Sequence, residues 1–344
     1  MFHFPIDEFM RILDRSQWNH IPDFSTLTGP ITTRDDVRNM KMDEGVSWVK
    51  TSGSTGEQLQ LRKTQADRIW YVATSIREKI WLNWDVTKTF VVIKPDIPTG
   101  GQQGWGLPTR MFPVQGLRYT LGYLSISKIQ KTLEALNPHY IHAAPSIIAQ
   151  LDLTKLSNFI DHKGTGELGG SMYSSEECGT IALRCPDNPE VFHVMENQIV
   201  EVDEDGAMLI TCLTNPYIKR YKHGDHIELG ECFCGRNLQT ITKIHGRVRN
   251  MLALPGDKKW ATIGGREYYT KFGIKRFKAV QTQLDLIEMQ IIRDEPFNDN
   301  EKKEFDDFVN KCIGSSVRIN IVLEYVTEFP LYKFEEFICV CDSN

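Results

Sequence analysis

The stretch "TSGSTGEQLQLRKT", Thr51 to Thr64, packs glycines among serine and threonine hydroxyls and ends in a basic tail. Glycine lets a backbone approach a ligand closely, and hydroxyls donate to phosphate oxygens. A loop of this kind ahead of a helix makes a phosphate cradle, helped by the helix N-terminus. It is not a Walker loop, because no Gly-Lys-Ser/Thr follows at the required spacing. A flexible surface loop has the same composition, so both readings stand on this stretch alone. A second constellation is Cys185-Pro186, His193 and Cys232-Phe233-Cys234-Gly235-Arg236. Three thiolates and an imidazole form a tetrahedral structural zinc site if the chain brings them together. The Cys-x-Cys pair departs from the commoner Cys-x-x-Cys, and the alternative is two buried cysteines and two surface thiols.

These residues need elements to position them. "ITTRDDVRNM" opens with a threonine cap and an acidic first turn, which predicts a helix. "QADRIWYVATSIREKIWLNW" and "SISKIQKTLEALNP" have helical periodicity, as does "DEFMRILDRS" near the start. "KTFVVIKP" reads as a strand ended by proline, and "YIHAAPSIIAQLDL" as a strand leading into a helix. "QIVEVDEDGAMLITCL" is a hairpin around Asp-Gly, followed by the strand-like "YIKRYKHGDHIEL" and "QTITKIHGRVRNML". Beyond about Arg249, "KAVQTQLDLIEMQII", "NEKKEFDDFVNKCI", "VRINIVLEYV" and "FPLYKFEEFICVC" read as strand, helix, strand, strand. That is a small α+β unit, with a boundary near Gly246–Asn250.

The chain has 344 residues, 41% of them hydrophobic and 25% charged, and a formal net charge of −5. The length suits two domains. The charge carries no nucleic-acid or membrane footprint. No run approaches the roughly 18 apolar residues of a spanning helix, and the start lacks a secretory signal, so a cytoplasmic location is the expectation. The 8 cysteines are then thiols or metal ligands rather than disulfides.

The order of several motifs resembles the adenylate-forming (acyl-CoA ligase) superfamily, in a trimmed form. The loop Thr51–Gly56 resembles its Thr-Ser-Gly-Ser/Thr-Thr-Gly phosphate loop. Ser174–Gly179 resembles its aromatic-Gly-x-Ser/Thr-Glu motif, Arg220–Asp225 its Arg-Tyr-x-x-Gly-Asp motif, and Ile244–Arg247 the Gly-Arg pair before its hinge. Phe329–Ile338 resembles its C-terminal Pro-x-x-x-Gly-Lys motif. The cysteine pattern is similar to that of the phenylacetate-CoA ligase-like branch.

The resemblance implies an α/β fold. A large domain of mixed sheets packed with helices would span residues 1–247, and a small α+β lid would span 248–344, joined by a hinge. It implies ATP-dependent activation of a small carboxylic acid as an acyl-adenylate with loss of pyrophosphate. The acyl group then passes to a thiol of coenzyme A or an acyl carrier protein. An acyl-protein synthetase loading a cysteine such as Cys339 or Cys341, and a non-catalytic nucleotide-binding scaffold, are the alternatives. Thr51, Ser52, Gly53, Ser54, Thr55 and Gly56 would grip the β- and γ-phosphates of ATP. Glu176 would hold Mg2+, with Glu177 as the alternative; a plainer reading makes both helix N-terminal acids. Asp225 would accept from the ribose hydroxyls and Arg247 would reach ribose or phosphate. Gly166 and Glu167 would line the adenine pocket, and Tyr173, Ser174 and Ser175 would border adenine and acyl carboxylate. Lys333 would bridge the carboxylate and α-phosphate in the transition state. The zinc ligands would be Cys185, His193, Cys232 and Cys234.

The chain departs from the family pattern at several points. Glu57-Gln58 replaces Pro-Lys after the loop, leaving Lys63 to supply the charge. Arg249 and Asn250 stand where hinge aspartates are usual. The trimmed large domain raises the expectation that a homodimer partner completes its core. Trp105 in "GGQQGWG" reads equally as a mobile acyl-pocket wall or a surface loop. His142 reads more readily as a satisfied buried histidine than as a base. Cys178 reads as packing.

Overall fold

The computed structural model describes residues 27, 29–43, 45–50, 59–94, 98–105, 116–122, 125–143, 145–148, 150–160, 170–247, 250–254, 257–260, 266–328 and 337–340. The helix Arg34–Asn39 starts as its sequence requires, with Thr33 and Asp36 forming a reciprocal capping box. Strands β1 (Ser47–Lys50) and β2 (Gln60–Lys63) pair antiparallel, Lys50 opposite Gln60, and flank the hydroxyl-rich stretch in sequence. Thr64 then caps the helix Gln65–Trp81 through Asp67. This helix buries Ile69, Val72, Ala73 and Trp81 at the 3–4 residue spacing of one face.

Strands β3 (Phe90–Ile93), β4 (Gly100–Gln103), β5 (Leu117–Leu121) and β6 (Tyr140–His142) form a sheet ordered β4-β5-β3-β6. β5, β3 and β6 run parallel. The helix Ile126–Leu136 covers one face, burying Ile129 and Leu133 against Val91, Ile93, Leu121 and Ile141. Trp84, Phe90, Trp105 and Tyr140 pack on the other face, with Trp84 and Tyr140 stacked at 5.0 Å. Trp105 is only 5% exposed and donates its indole N–H to the Lys88 carbonyl at 2.9 Å. It is a core residue, neither a mobile wall nor a surface loop.

Strands β7 (Met172–Ser175), β8 (Gly179–Arg184), β9 (Phe192–Val194), β10 (Gln198–Val202), β11 (Ala207–Cys212), β12 (Tyr221–Gly230) and β13 (Thr240–Arg247) form one antiparallel sheet, ordered β10-β11-β12-β13-β9-β8-β7. The Asp-Gly hairpin between β10 and β11 forms as expected, with Gly206 at φ +82°. A Cβ there would meet the His226 ring at 2.1 Å, so only glycine fits. The sheet curls until its edges approach. Gln198 on one edge strand donates to the carbonyls of Cys178 and Thr180 at the other side, at 3.0 and 3.4 Å. The enclosed core contains Ile181, Val194, Val200, Ile210, Tyr221 and Ile241.

Beyond it lie a short hairpin, β14 (Met251–Leu254) with β15 (Asp257–Trp260), and the helix Arg266–Thr270. A last sheet, β18-β17-β16-β19, is built from β16 (Arg276–Gln283), β17 (Leu286–Ile292), β18 (Asn320–Tyr325) and β19 (Phe337–Cys339). The helix Asp299–Ile313 packs on it through Phe305, Val309 and Ile313. The single strand expected over "KAVQTQLDLIEMQII" is therefore a hairpin. A bulge between Gln281 and Gln283 keeps odd-numbered residues inward on both arms, so the alternation runs unbroken through the turn and hides it. Among the described residues no helix is long and apolar enough to cross a membrane.

Candidate functional site

Asp225 anchors the first cluster. It lies in β12 after Gly224, whose φ of +89° turns the strand locally, and pairs in register with Arg247 on β13. The Tyr173 hydroxyl donates to its Oδ2, His223 Nδ1 stands 3.2 Å from the same oxygen, and Arg247 Nε lies 3.7 Å from Oδ1. Tyr173 comes from the edge strand β7, so the curl of the sheet makes this meeting. Burial pushes the Asp225 carboxyl up, but His223, then Tyr173 and Arg247, outweigh it and hold it at about 2. Burial likewise opposes protonation of His223, yet the Asp225 bond and charge hold its imidazole above the ordinary value. Burial and the adjacent carboxylate raise the Tyr173 phenol, which stays a donor. The result is a carboxylate fixed in its charged form with one side toward Arg247.

Three residues further on β7 ends in the Glu176–Cys178 turn, which joins it to β8. Glu176 is exposed, whereas Glu177 is buried and paired with Arg34 at 3.3 Å. The two acids thus sit in a β-hairpin turn, which overturns the helix N-terminus reading. Lys63, at the end of β2, donates to the Glu177 carbonyl at 2.8 Å. The strand leaving the hydroxyl-rich stretch is thereby tied to the acidic turn. Ser175 Oγ accepts from the Cys178 amide at 3.1 Å and tightens that turn, while Ser174 is exposed. Thr51, Ser52, Gly53, Ser54, Thr55, Gly56, Gly166, Glu167 and Lys333 lie outside the described residues.

The second cluster joins Cys185, His193, Cys232 and Cys234, whose ligand atoms all lie within 4.8 Å of one another. His193 Nε2 is 3.2 Å from Cys234 Sγ, and Cys232 Sγ is 3.8 Å from Cys185 Sγ. A tetrahedron with metal–sulfur bonds near 2.3 Å and metal–nitrogen bonds near 2.0 Å has edges of about 3.5–3.8 Å, so the four donors fit zinc. Thr240 Oγ1 sits 3.3 Å from His193 Nδ1 and fixes the ring, leaving Nε2 toward the thiols. Burial, then the Arg236 charge, hold His193 at about 4, in its neutral ligand form. Burial pushes Cys185 up to about 12. Burial also pushes Cys234 up, but hydrogen bonds from the Arg236 backbone and guanidinium, then from Cys232, outweigh it and hold that thiol below its usual value.

Sequence reasoning passed over His223, Arg34 and Thr240. Arg34 and Thr240 act through partners 143 and 47 residues away, which nothing local marks, whereas His223 acts on Asp225, two residues on in the same strand. His142 was expected as a satisfied buried histidine. It is instead solvent-accessible, and among the described residues it has no hydrogen-bond partner. Cys178 packs in the core as expected.

No protein-family model matches the chain, and no curated protein matches it in sequence. Solved structures do match. A 2-hydroxyisobutyryl-CoA ligase in the postadenylation state, in complex with 2-HIB-AMP, aligns with a TM-score of 0.66 at 14% identity, covering 98% of this chain and 85% of that one. An anthranilate CoA ligase in complex with anthranoyl-AMP aligns with a TM-score of 0.57 at 14% identity, covering 82% and 63%. An O-succinylbenzoate coenzyme A synthetase from Bacillus subtilis, in complex with AMP, aligns with a TM-score of 0.54 at 12% identity, covering 85% and 67%. The chain has the fold of the adenylate-forming enzymes.

Proposed function

We propose that this chain activates a small carboxylic acid as its acyl-adenylate, releasing pyrophosphate, and then passes the acyl group to a thiol of coenzyme A or a carrier protein. The observation that carries the reading is the meeting of Tyr173, Asp225 and Arg247 beside the Glu176 turn, with Lys63 tying that turn to β2. In this reading Asp225, held charged, accepts from the ribose hydroxyls, and Arg247 donates from beside it. Glu176 is the acid free to hold magnesium, because Glu177 is occupied by Arg34. A bound magnesium would supply positive charge to the phosphate oxygens during displacement at the α-phosphorus. The Thr51–Gly56 loop grips the outer phosphates and Lys63 adds a cation near them. Lys333 reaches the carboxylate and α-phosphate from a lid domain that begins at 248.

Cys185, His193, Cys232 and Cys234 hold a structural zinc, which closes the β8–β9 and β12–β13 connections and takes no part in the chemistry. This set supports a reading of the chain in the phenylacetate-CoA ligase-like branch. Cys339 lies in β19 opposite Gln281 and packs on the apolar cluster, so no observation favours the cysteine-loading alternative.

Acid-dependent exchange of labelled pyrophosphate into ATP tests the reading. Wild type should exchange with some small acid, and Asp225→Ala and Glu176→Ala should each lose at least ~10²-fold in kcat/KM. Full exchange by Asp225→Ala, or no binding of ATP with magnesium to wild type, would overturn it.

A further inference from the structure

His223 has no part in the adenylation reading, yet it stands behind the carboxylate on which that reading turns. It lies on β12 two residues before Asp225. Its Nδ1 is 3.2 Å from Asp225 Oδ2, and its side chain is 4% exposed against 11% for Asp225. The imidazole is thus sealed from a ligand that can still reach the carboxylate. Two rings fix its orientation. Tyr173, from β7, lies edge-on to it at 6.2 Å, and Tyr221, from β12 itself, at 6.5 Å. Tyr221 is itself buried in the core and joined to the chain before the first helix by a bridge with Thr32.

The two oxygens of Asp225 are held differently. Oδ2 takes both the Tyr173 hydroxyl and the His223 imidazole. Oδ1 has Arg247 Nε at 3.7 Å, beyond hydrogen-bond length. The occupied oxygen therefore orients the group, and Oδ1 keeps lone pairs for a ligand's hydroxyls. Charge decides how the carboxylate leans. An imidazolium at Oδ2 balances the guanidinium beside Oδ1. A neutral imidazole leaves the carboxylate to Arg247, and a guanidinium closes on both oxygens with two parallel bonds. The lone pairs a ligand needs are then spent inside the protein. Tyr173 on β7 and Glu177 and Cys178 in the β7–β8 turn also face the imidazole. Tyr173 stays a donor and Glu177 is tied to Arg34. Cys178 is the remaining thiol there, and the experiment separates its titration from that of His223.

We propose that His223 is a positioning residue for nucleotide binding, whose positive charge at Oδ2 keeps Oδ1 of Asp225 turned to the ribose hydroxyls. The inference rests on the acyl-adenylate reading, in which Asp225 is the ribose acceptor. It adds that the ribose is gripped well only while the imidazole is charged. Burial disfavours that charge, but Asp225 outweighs burial, so the imidazole keeps its proton to a pH above its ordinary value of about 6.5. As pH rises through that folded value the charge is lost, and with it the preference for a sugar bearing both hydroxyls. Contacts to base and phosphates are untouched by the change.

The test is calorimetric titration with ATP, 2′-deoxyATP and 3′-deoxyATP, each with magnesium, from about pH 6 to 9. The readout is the affinity ratio of ATP to each deoxy analogue, in which titration of the triphosphate and any general loosening of the site cancel. Wild type near pH 6 should favour ATP by at least ~10-fold, the loss of a hydrogen bond to a charged acceptor. That ratio should fall by roughly threefold or more at the upper end. His223→Gln should show the lower ratio throughout and no slope, and in pyrophosphate exchange it should raise KM for ATP with little change in kcat. The wild-type slope needs no variant, so it decides the matter should His223→Gln fold poorly. A level wild-type ratio, or a ratio unmoved by His223→Gln, would overturn the inference and leave the adenylation reading standing. A slope that survives in His223→Gln would belong to Cys178 and overturn it equally. Wild type that binds ATP but exchanges no pyrophosphate would end the adenylation reading alone, and the ratios would still decide His223. Wild type that binds no nucleotide ends both.

Discussion

Behind the curled seven-stranded sheet lie Arg77, His193, Glu196, Gln198 and Asp225, all buried. Behind the C-terminal sheet the described residues bury Phe272, Phe277, Ile287, Met289, Phe305 and Ile321, and among them Gln281 is the one buried polar side chain. Burying polar groups is unfavourable unless each is paired, so a fold that needs only shape avoids it. The C-terminal unit is built that way, with Phe305 between the rings of Tyr268, Phe272 and Phe297. The large sheet instead holds its loops and its carboxylate with pairs that each fail when one member is lost. The two regions should therefore respond differently to single substitutions.

The largest difference is expected at the cysteine–histidine cluster. Metal analysis should find one zinc per chain. Cys232→Ser or prolonged chelation should lower stability by about 3 kcal/mol or more, because binding free energy at such a site is folding free energy. Full stability without zinc would leave the large sheet no more dependent on its polar groups than the small one.

Next comes the buried pair of Arg77 and Glu196, at 2.5 Å, which ties the helix Gln65–Trp81 to the β9–β10 connection. Arg77→Met should destabilise by about 3–5 kcal/mol, since it strands a buried carboxylate. The double variant Arg77→Met, Glu196→Leu should recover much of that loss. A double-mutant cycle in denaturant reads the coupling directly, and additive losses would show the pair to be independent.

The contrast between the regions also explains what could be read from the chain. The Asp-Gly hairpin and the threonine-capped helix Arg34–Asn39 carry their signals within a few adjacent residues, and each appears at its place. The cluster of three cysteines and one histidine was legible because soft ligands are rare and informative. The curl that brings Tyr173 to Asp225 depends on strand order, and strand order is set by long-range pairing with no local mark. His223, by contrast, meets Asp225 two residues on in the same strand, inside the Arg220–Asp225 motif, and was passed over although its signal was local. The β16–β17 turn was lost because its bulge preserves the apolar phase. In the small unit, then, sequence hides topology within a regular pattern, while in the large one it hides partners.

Gln281 probes the small unit at its single polar point. Its side chain accepts from the Ala253 amide at 2.9 Å and donates to the Ala253 carbonyl at 2.8 Å, bridging β14 and β16. Gln281→Leu should cost about 1–3 kcal/mol, the desolvation of two backbone groups left without partners. Hydrogen exchange at the Ala253 amide should accelerate, whereas amides of the seven-stranded sheet should keep their protection. Acceleration in both regions would mean that they unfold as one cooperative unit.

The smallest effect is a pH dependence, and it belongs to the large sheet alone. Asp225 is depressed to about 2, so its contribution is present above the ordinary carboxylate value of about 3.9 and fades as pH falls through 2. His223 is raised, so its contribution is complete below about 6.5 and is lost as pH rises through its higher folded value. The pair is fully charged only between these limits. Comparing wild type with His223→Gln in denaturant should give a stability difference on the order of 1 kcal/mol near pH 5–6, shrinking above pH 7. Nothing comparable should appear for Gln281→Leu, whose groups do not titrate. A difference that stays level from pH 5 to 9 would mean that the imidazole serves Asp225 as a neutral donor. The carboxylate would then be held by Tyr173 and Arg247 without a charge behind it.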